Sequence, residues 1–70
     1  MVLTPIRFER LRRGMLQWQL AKQAGIPESV MSRIETGRIT ATPEQLRKIA
    51  LALDVELERL SADLYEAQNE

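Results

Sequence analysis

Between Leu16 and Thr40 the chain carries side chains suited to hydrogen bonding rather than to making or breaking bonds. Gln17 stands where a helix is expected to start. There its amide and the unsatisfied backbone N–H groups can face a phosphate, helped by the helix dipole. Further on, Glu28, Ser29, Ser32 and Arg33 fall within a second short helical stretch. A guanidinium such as that of Arg33 can hold guanine O6 and N7 in a bidentate manner, for about 1–3 kcal/mol of discrimination between bases. Glu28 repels phosphate but can accept from cytosine N4. It also sits in a first helical turn, where a carboxylate is favoured in any case, and both readings stand. Ser29 is a permissive hydrogen-bonding residue. Covalent or acid–base catalysis has few candidates, since the chain has no histidine, no cysteine and no convergent carboxylates. The same absence removes disulfides and the usual thiolate or imidazole metal sites, so no enzyme activity, cofactor or metal is expected.

The elements that must position these residues are short. Leu20, Ala21 and Ala24 share one face of a helix that starts near Leu16 or Gln17, and Gly25 follows at once. Glycine suits the left-handed position after a helix. Ile26 and Pro27 restart the chain, with proline well placed in the first turn of a helix running from about Pro27 to Thr36. Met31 and Ile34 point inward from it, and Gly37 ends it. Two such helices are marginal alone. A seam of small residues, Ala21 against the turn at Gly25, lets them cross closely and steeply. This is the architecture of a helix-turn-helix, whose second helix can enter a DNA major groove.

The flanking sequence supplies three more helices. Thr4-Pro5 reads as an N-cap followed by proline at the first helical position, opening helix 1 to about Arg13. Ile6, Phe8 and Leu11 are its apolar positions, and they form no single clean stripe. Thr42-Pro43-Glu44-Gln45 is a capping box for helix 4, which carries Leu46, Ile49, Ala50 and Leu53 at helical spacing and ends at Asp54. Helix 5 is expected from about Glu56 to Ala67, with Leu57 and Leu60 in the core, and the last residues should fray. No strand-like alternation occurs. The fold class is therefore all-α: a compact five-helix domain spanning residues 1–70, with 61–70 as a C-terminal helix extension and acidic tail.

Seventy residues make one domain that buries only about 60% of its unfolded surface. With no disulfide or metal, helix packing and self-association must stabilise it. Net charge is zero, but it is unevenly spread. Residues 1–50 hold nine Lys/Arg and four Glu, a balance of +5; residues 51–70 hold Arg59 and six acids, a balance of −5. No stretch has the length of a membrane span and no signal peptide is evident, so a cytoplasmic location and no membrane partner are expected.

The pattern Gln17, Leu20-Ala21, Gly25-Ile26, Met31, Ser32-Arg33-Ile34-Glu35 and Gly37 resembles the helix-turn-helix family of phage repressors, Cro proteins and Xre-type regulators. Leu46, Lys48-Ile49-Ala50, Ala52-Leu53, Val55, Leu57 and Leu60 continue the resemblance, which covers roughly residues 5–60. It implies a lambda-repressor-like fold, double-stranded DNA as partner and regulation of transcription. On the family's pattern, Glu28, Ser29 and Arg33, with Ser32 beside them, face base edges. Gln17 faces a phosphate, and Thr36, Arg38 and Thr40 match a second phosphate clamp. Arg10 and Glu35 match a structural pair tying helix 1 to helix 3.

Three departures from the family's pattern matter. Leu16 replaces the usual Ser or Thr cap, a loss of about 1 kcal/mol. Pro27 removes a backbone N–H that many members offer to phosphate. The loop Arg38-Ile39-Thr40-Ala41 is less basic than most, so non-specific affinity should be modest and the salt slope shallow. Leu64 and Tyr65 exceed what the core needs and are expected to form a homodimer seam, placing two recognition helices about 34 Å apart on an inverted repeat. Neutral net charge, Glu28, Pro27, Leu16 and an exposed Trp18 also fit an alternative. In that case the helix-turn-helix binds a protein partner, as an antitoxin-like or regulator-binding module with little DNA affinity.

Overall fold

The computed structural model describes residues 3–60. Four helices follow in order: α1 (Pro5–Arg12), α2 (Gln17–Ala24), α3 (Glu28–Glu35) and α4 (Pro43–Leu53), and a further helical turn opens at 57–60. α2 is the central element, packed against α4 and α3, while α1 packs on α4. Leu20, Met31, Ile49 and Leu53 are fully buried where these helices meet, and Ile6, Ile34 and Leu60 close the core from the α1 side. No helix among the described residues is long and apolar enough to cross a membrane.

Local chemistry sets the helix ends. Thr4 caps α1 by accepting the N–H of Arg7 at 3.2 Å, and its hydroxyl donates to the carbonyl of Glu35 at 2.9 Å. One side chain thus starts α1 and fastens the end of α3 to it. Gly25 ends α2 with φ +67°, and the N–H of Ile26 reaches back to the carbonyl of Ala21 at 2.9 Å. The capping box at Thr42 is complete: Thr42 accepts the N–H of Gln45, and the Gln45 side chain accepts the N–H of Thr42. Asp54 ends α4 in the left-handed conformation, φ +57°, which aspartate tolerates better than most non-glycine residues.

Several sequence expectations need correction. Pro27 is the N-cap of α3 rather than its first residue, because its ψ of 142° is extended. The cap of α2 is only half lost: Leu16 has no acceptor, but Gln19 still accepts the N–H of Leu16 at 2.8 Å. Leu16 itself remains 56% exposed. Leu57, expected in the core, lies at its edge and is exposed, since it opens its helical turn on the side facing Leu51 and Val55; Leu60, almost a turn later, is buried. Phe8 and Leu11 of α1 are also exposed, and the inward positions are taken by Ile6, Glu9 and Arg10. Leu64 and Tyr65 lie outside the described residues.

Candidate nucleic-acid interface

The spacing of Glu28, Ser29, Ser32, Arg33 and Thr36 puts all five on one side of α3 and its cap. Met31, Ile34 and Glu35 occupy the other side and are buried. Glu28, Ser29, Arg33 and Thr36 are exposed and Ser32 is half-buried. Among the described residues, no hydrogen bond or ion pair engages the side chains of Glu28, Ser29 or Arg33. Proline offers no capping side chain, so the first-turn N–H groups of α3, at Glu28 and Ser29, are open to an external acceptor.

Gln17 lies beside this face, at the first position of α2, half-buried. With leucine as the N-cap, the N–H groups of Gln17 and Trp18 have no partner among the described residues. The Gln17 amide is not free: its Nε2 donates to Glu35 Oε1 at 3.3 Å. One N–H of that group remains for an external acceptor. Arg38 and Thr40 are exposed beyond the end of α3. The hydroxyl of Thr36 donates to the carbonyls of Ser32 and Arg33 at 3.0 and 3.2 Å, so donation to a phosphate would require its rotation. Trp18 is half exposed and its indole N–H is unpartnered among the described residues.

Behind this face sits Glu35, 1% exposed. Arg10 grips its carboxylate with both sides of the guanidinium fork, Nε to Oε2 at 2.8 Å and Nη2 to Oε1 at 2.9 Å. The remaining nitrogen of Arg10 donates to the carbonyl of Met15 at 2.7 Å. A single buried pair therefore joins α1, the turn before α2, the first residue of α2 and the last of α3. Bidentate geometry and further hydrogen bonds are what a buried charge pair needs to offset its desolvation.

A second buried carboxylate, Glu9, was not singled out from the sequence. It is 2% exposed and serves three arginines: Arg13 at 2.6 Å, Arg12 at 3.0 Å and Arg59 at 3.5 Å. The hydrogen bond from Arg13 holds its carboxyl below the usual glutamate range, Arg12 adds to the effect, and desolvation opposes it. Arg59 ties the turn at 57–60 to α1. The available signal was register: Glu9 is the sole acid of α1 and follows Ile6 at i+3, on the helix's inward side. No group of His, Cys, Asp or Glu among the described residues could hold a metal ion.

A helix-turn-helix family model of the Cro/C1 type matches residues 6–60. No curated protein and no solved structure matches the chain significantly. The matched span takes in the core, both buried carboxylates and the whole exposed face of α3, well over half of the chain. It therefore belongs to the helix-turn-helix family of phage repressor, Cro and Xre-type regulators, a family of DNA-binding regulatory domains.

Proposed function

We infer that the protein is a sequence-specific transcriptional regulator that acts in the cytoplasm as a homodimer on an inverted-repeat operator. The observation that carries this is the two-sidedness of α3. Its inner side is locked by Met31, Ile34 and the Arg10–Glu35 pair, while Glu28, Ser29 and Arg33 stand exposed without partners among the described residues. Such a helix can enter a major groove without giving up any of these internal contacts. In this reading Glu28, Ser29, Ser32 and Arg33 meet base edges. Gln17 with the open N–H groups of α2, Arg38, Thr40 and a rotated Thr36 meet phosphates. Occupying a promoter this way can repress or activate.

Selection of bound duplexes from a random pool supplies the operator, and two variants then assign roles. Arg33→Ala should relax base preference at one position by about 1–3 kcal/mol. Arg38→Ala should weaken every duplex about equally and lower the salt slope by about 0.9. If both variants acted alike on every duplex, the division of roles would be wrong. A wild-type protein that failed to shift any duplex at low salt would favour the protein-binding alternative.

A further inference from the structure

Four arginines stand in α1 and at its C-cap, and three of them are committed. Arg10 binds Glu35 and the carbonyl of Met15, and Arg12 and Arg13 bind Glu9. Arg7 differs. It is half-buried, and its Nε is sealed from solvent without a hydrogen-bond partner. No ion pair or hydrogen bond among the described residues engages its guanidinium. Keeping a donor of a charged group buried and unpaired is costly, so such an atom calls for an acceptor.

Its place in the fold narrows what that acceptor is. The Thr4 hydroxyl accepts the N–H of Arg7 and donates to the carbonyl of Glu35, so one hydroxyl separates the Arg7 backbone from the last residue of α3. Arg10, almost one turn further along α1, reaches the carboxylate of the same glutamate. Both arginines therefore lie on the side of α1 that meets α3. Thr4, Gly37 and Thr40 border one hollow, which brings the loop of Arg38 and Thr40 to the same corner. Charge here is one-sided. Arg7, Arg33 and Arg38 have no anionic partner among the described residues, and Glu35 is already neutralised by Arg10. Side chains that flank a helix lying in a major groove face the phosphates of its walls. We propose that Arg7 is a further phosphate contact, reaching the DNA backbone from α1 beside Arg38 and Thr40. This rests on the DNA-binding reading above and deepens it. Swinging Arg7 outward breaks no internal hydrogen bond. It brings an Nε–H and an Nη–H onto two oxygens of one phosphate. Arg10 cannot do the same without releasing Glu35. The loop Arg38-Ile39-Thr40-Ala41 holds a single cation, and Arg7 supplies a second from another helix.

The test is the salt dependence of binding, read by fluorescence anisotropy of a labelled duplex, for the full chain as wild type, Arg7→Gln and Arg7→Lys. Both variants keep an apolar stem along α1. Two duplexes are used: the operator selected from the random pool, and an unrelated sequence of equal length. Arg7→Gln should weaken binding to both by about tenfold and lower the salt slope by about 0.9. Arg7→Lys should keep the wild-type slope, since the charge remains, yet bind more weakly than wild type, because an ammonium lacks the fork. Joined to Arg38→Ala, Arg7→Gln should lower the slope by about 1.8. Stability of Arg7→Gln to urea should be no lower than that of wild type, because no internal bond is lost. Three results would overturn the proposal: an Arg7→Gln slope equal to wild type, a loss seen on the operator alone, or an Arg7→Gln protein markedly less stable than wild type. The last would mean that the acceptor of Arg7 lies within the chain, such as a carboxylate of residues 61–70. The two readings fail separately. A wild type that binds duplex with a slope unmoved by Arg7→Gln sinks this contact alone. A wild type that binds no duplex at low salt sinks the DNA reading, and this contact with it.

Discussion

Both buried carboxylates of this small domain are held by arginines, yet they are built differently. Glu35 is gripped by Arg10, itself only 8% exposed, and the pair is shared by three helices. Glu9 is served by three arginines, Arg12 in the last turn of its own helix, Arg13 at that helix's C-cap and the distant Arg59, and Arg12 and Arg59 are more than half exposed. If Glu9 is lost, those guanidinium groups can turn to water. If Glu35 is lost, Arg10 has nowhere to go. Degree of burial of the partner, rather than of the carboxylate, should therefore set the cost of breaking each site.

The largest expected effect follows directly. Arg10→Ala or Glu35→Ala leaves one buried charge uncompensated, at about 3–5 kcal/mol. A seventy-residue domain has a total stability of roughly 4–10 kcal/mol, so either variant should be largely or wholly unfolded. Urea titration by circular dichroism measures this. A loss below about 1 kcal/mol would mean that water reaches the pair and that the contrast with Glu9 is unfounded.

Glu9→Gln should cost less, about 1–2 kcal/mol, because an amide oxygen can still accept from Arg13 while the charge is lost. Acid sharpens the comparison. Glu9 has its folded pKa lowered from the ordinary 4.5, principally by Arg13. The unfolded state then binds the proton more readily, so the stability from ionised Glu9 is present above about 4.5 and is lost as pH falls through the lowered folded value. Over that acid range Glu9→Gln should flatten the decline seen in wild type. Parallel stability curves for the two proteins would show that Glu9 does not titrate as the geometry requires.

The same contrast explains what the sequence could and could not disclose. Gly25, the Thr42–Gln45 box and the inward stripes of α2, α3 and α4 are local features, fixed by turn geometry and helical period, and each is legible in a few neighbouring residues. The Arg10–Glu35 pair was legible only through the family pattern, since nothing local joins residues 25 apart. Glu9 escaped because the apolar positions of helix 1 form no clean stripe to mark its inward side, and Arg7, Arg10, Arg12 and Arg13 surround it in the sequence. Its long-range partner, Arg59, lies in the segment whose charge balance looks purely acidic. Leu57 was misplaced because apolar spacing gives a stripe but not its edge: where Leu60 turns in, Leu57 is left outside. On the DNA side, the chemical types on α3 were readable. The donation of the Gln17 amide to Glu35 was not, because it depends on how α2 and α3 cross.

That donation gives the smallest stability effect and the finest test of the comparison. Gln17 touches the Glu35 site from its exposed edge, through a long bond of 3.3 Å, whereas nothing on the candidate DNA face touches Glu9. Gln17→Ala should therefore lower stability by less than about 1 kcal/mol, since Arg10 still satisfies both carboxylate oxygens. It should nonetheless weaken binding to every duplex about equally, because a phosphate contact carries no base information. A neutral amide displaces no counterion, so the salt slope should stay at the wild-type value, unlike that of Arg38→Ala. Glu9→Gln, measured where it is fully folded, should leave affinity unchanged. If Gln17→Ala destabilised the fold as severely as Arg10→Ala, the amide would belong to the brace and not to the DNA face. If Glu9→Gln weakened binding as much as Gln17→Ala, the two carboxylates would not be separable by their distance from the DNA face at all.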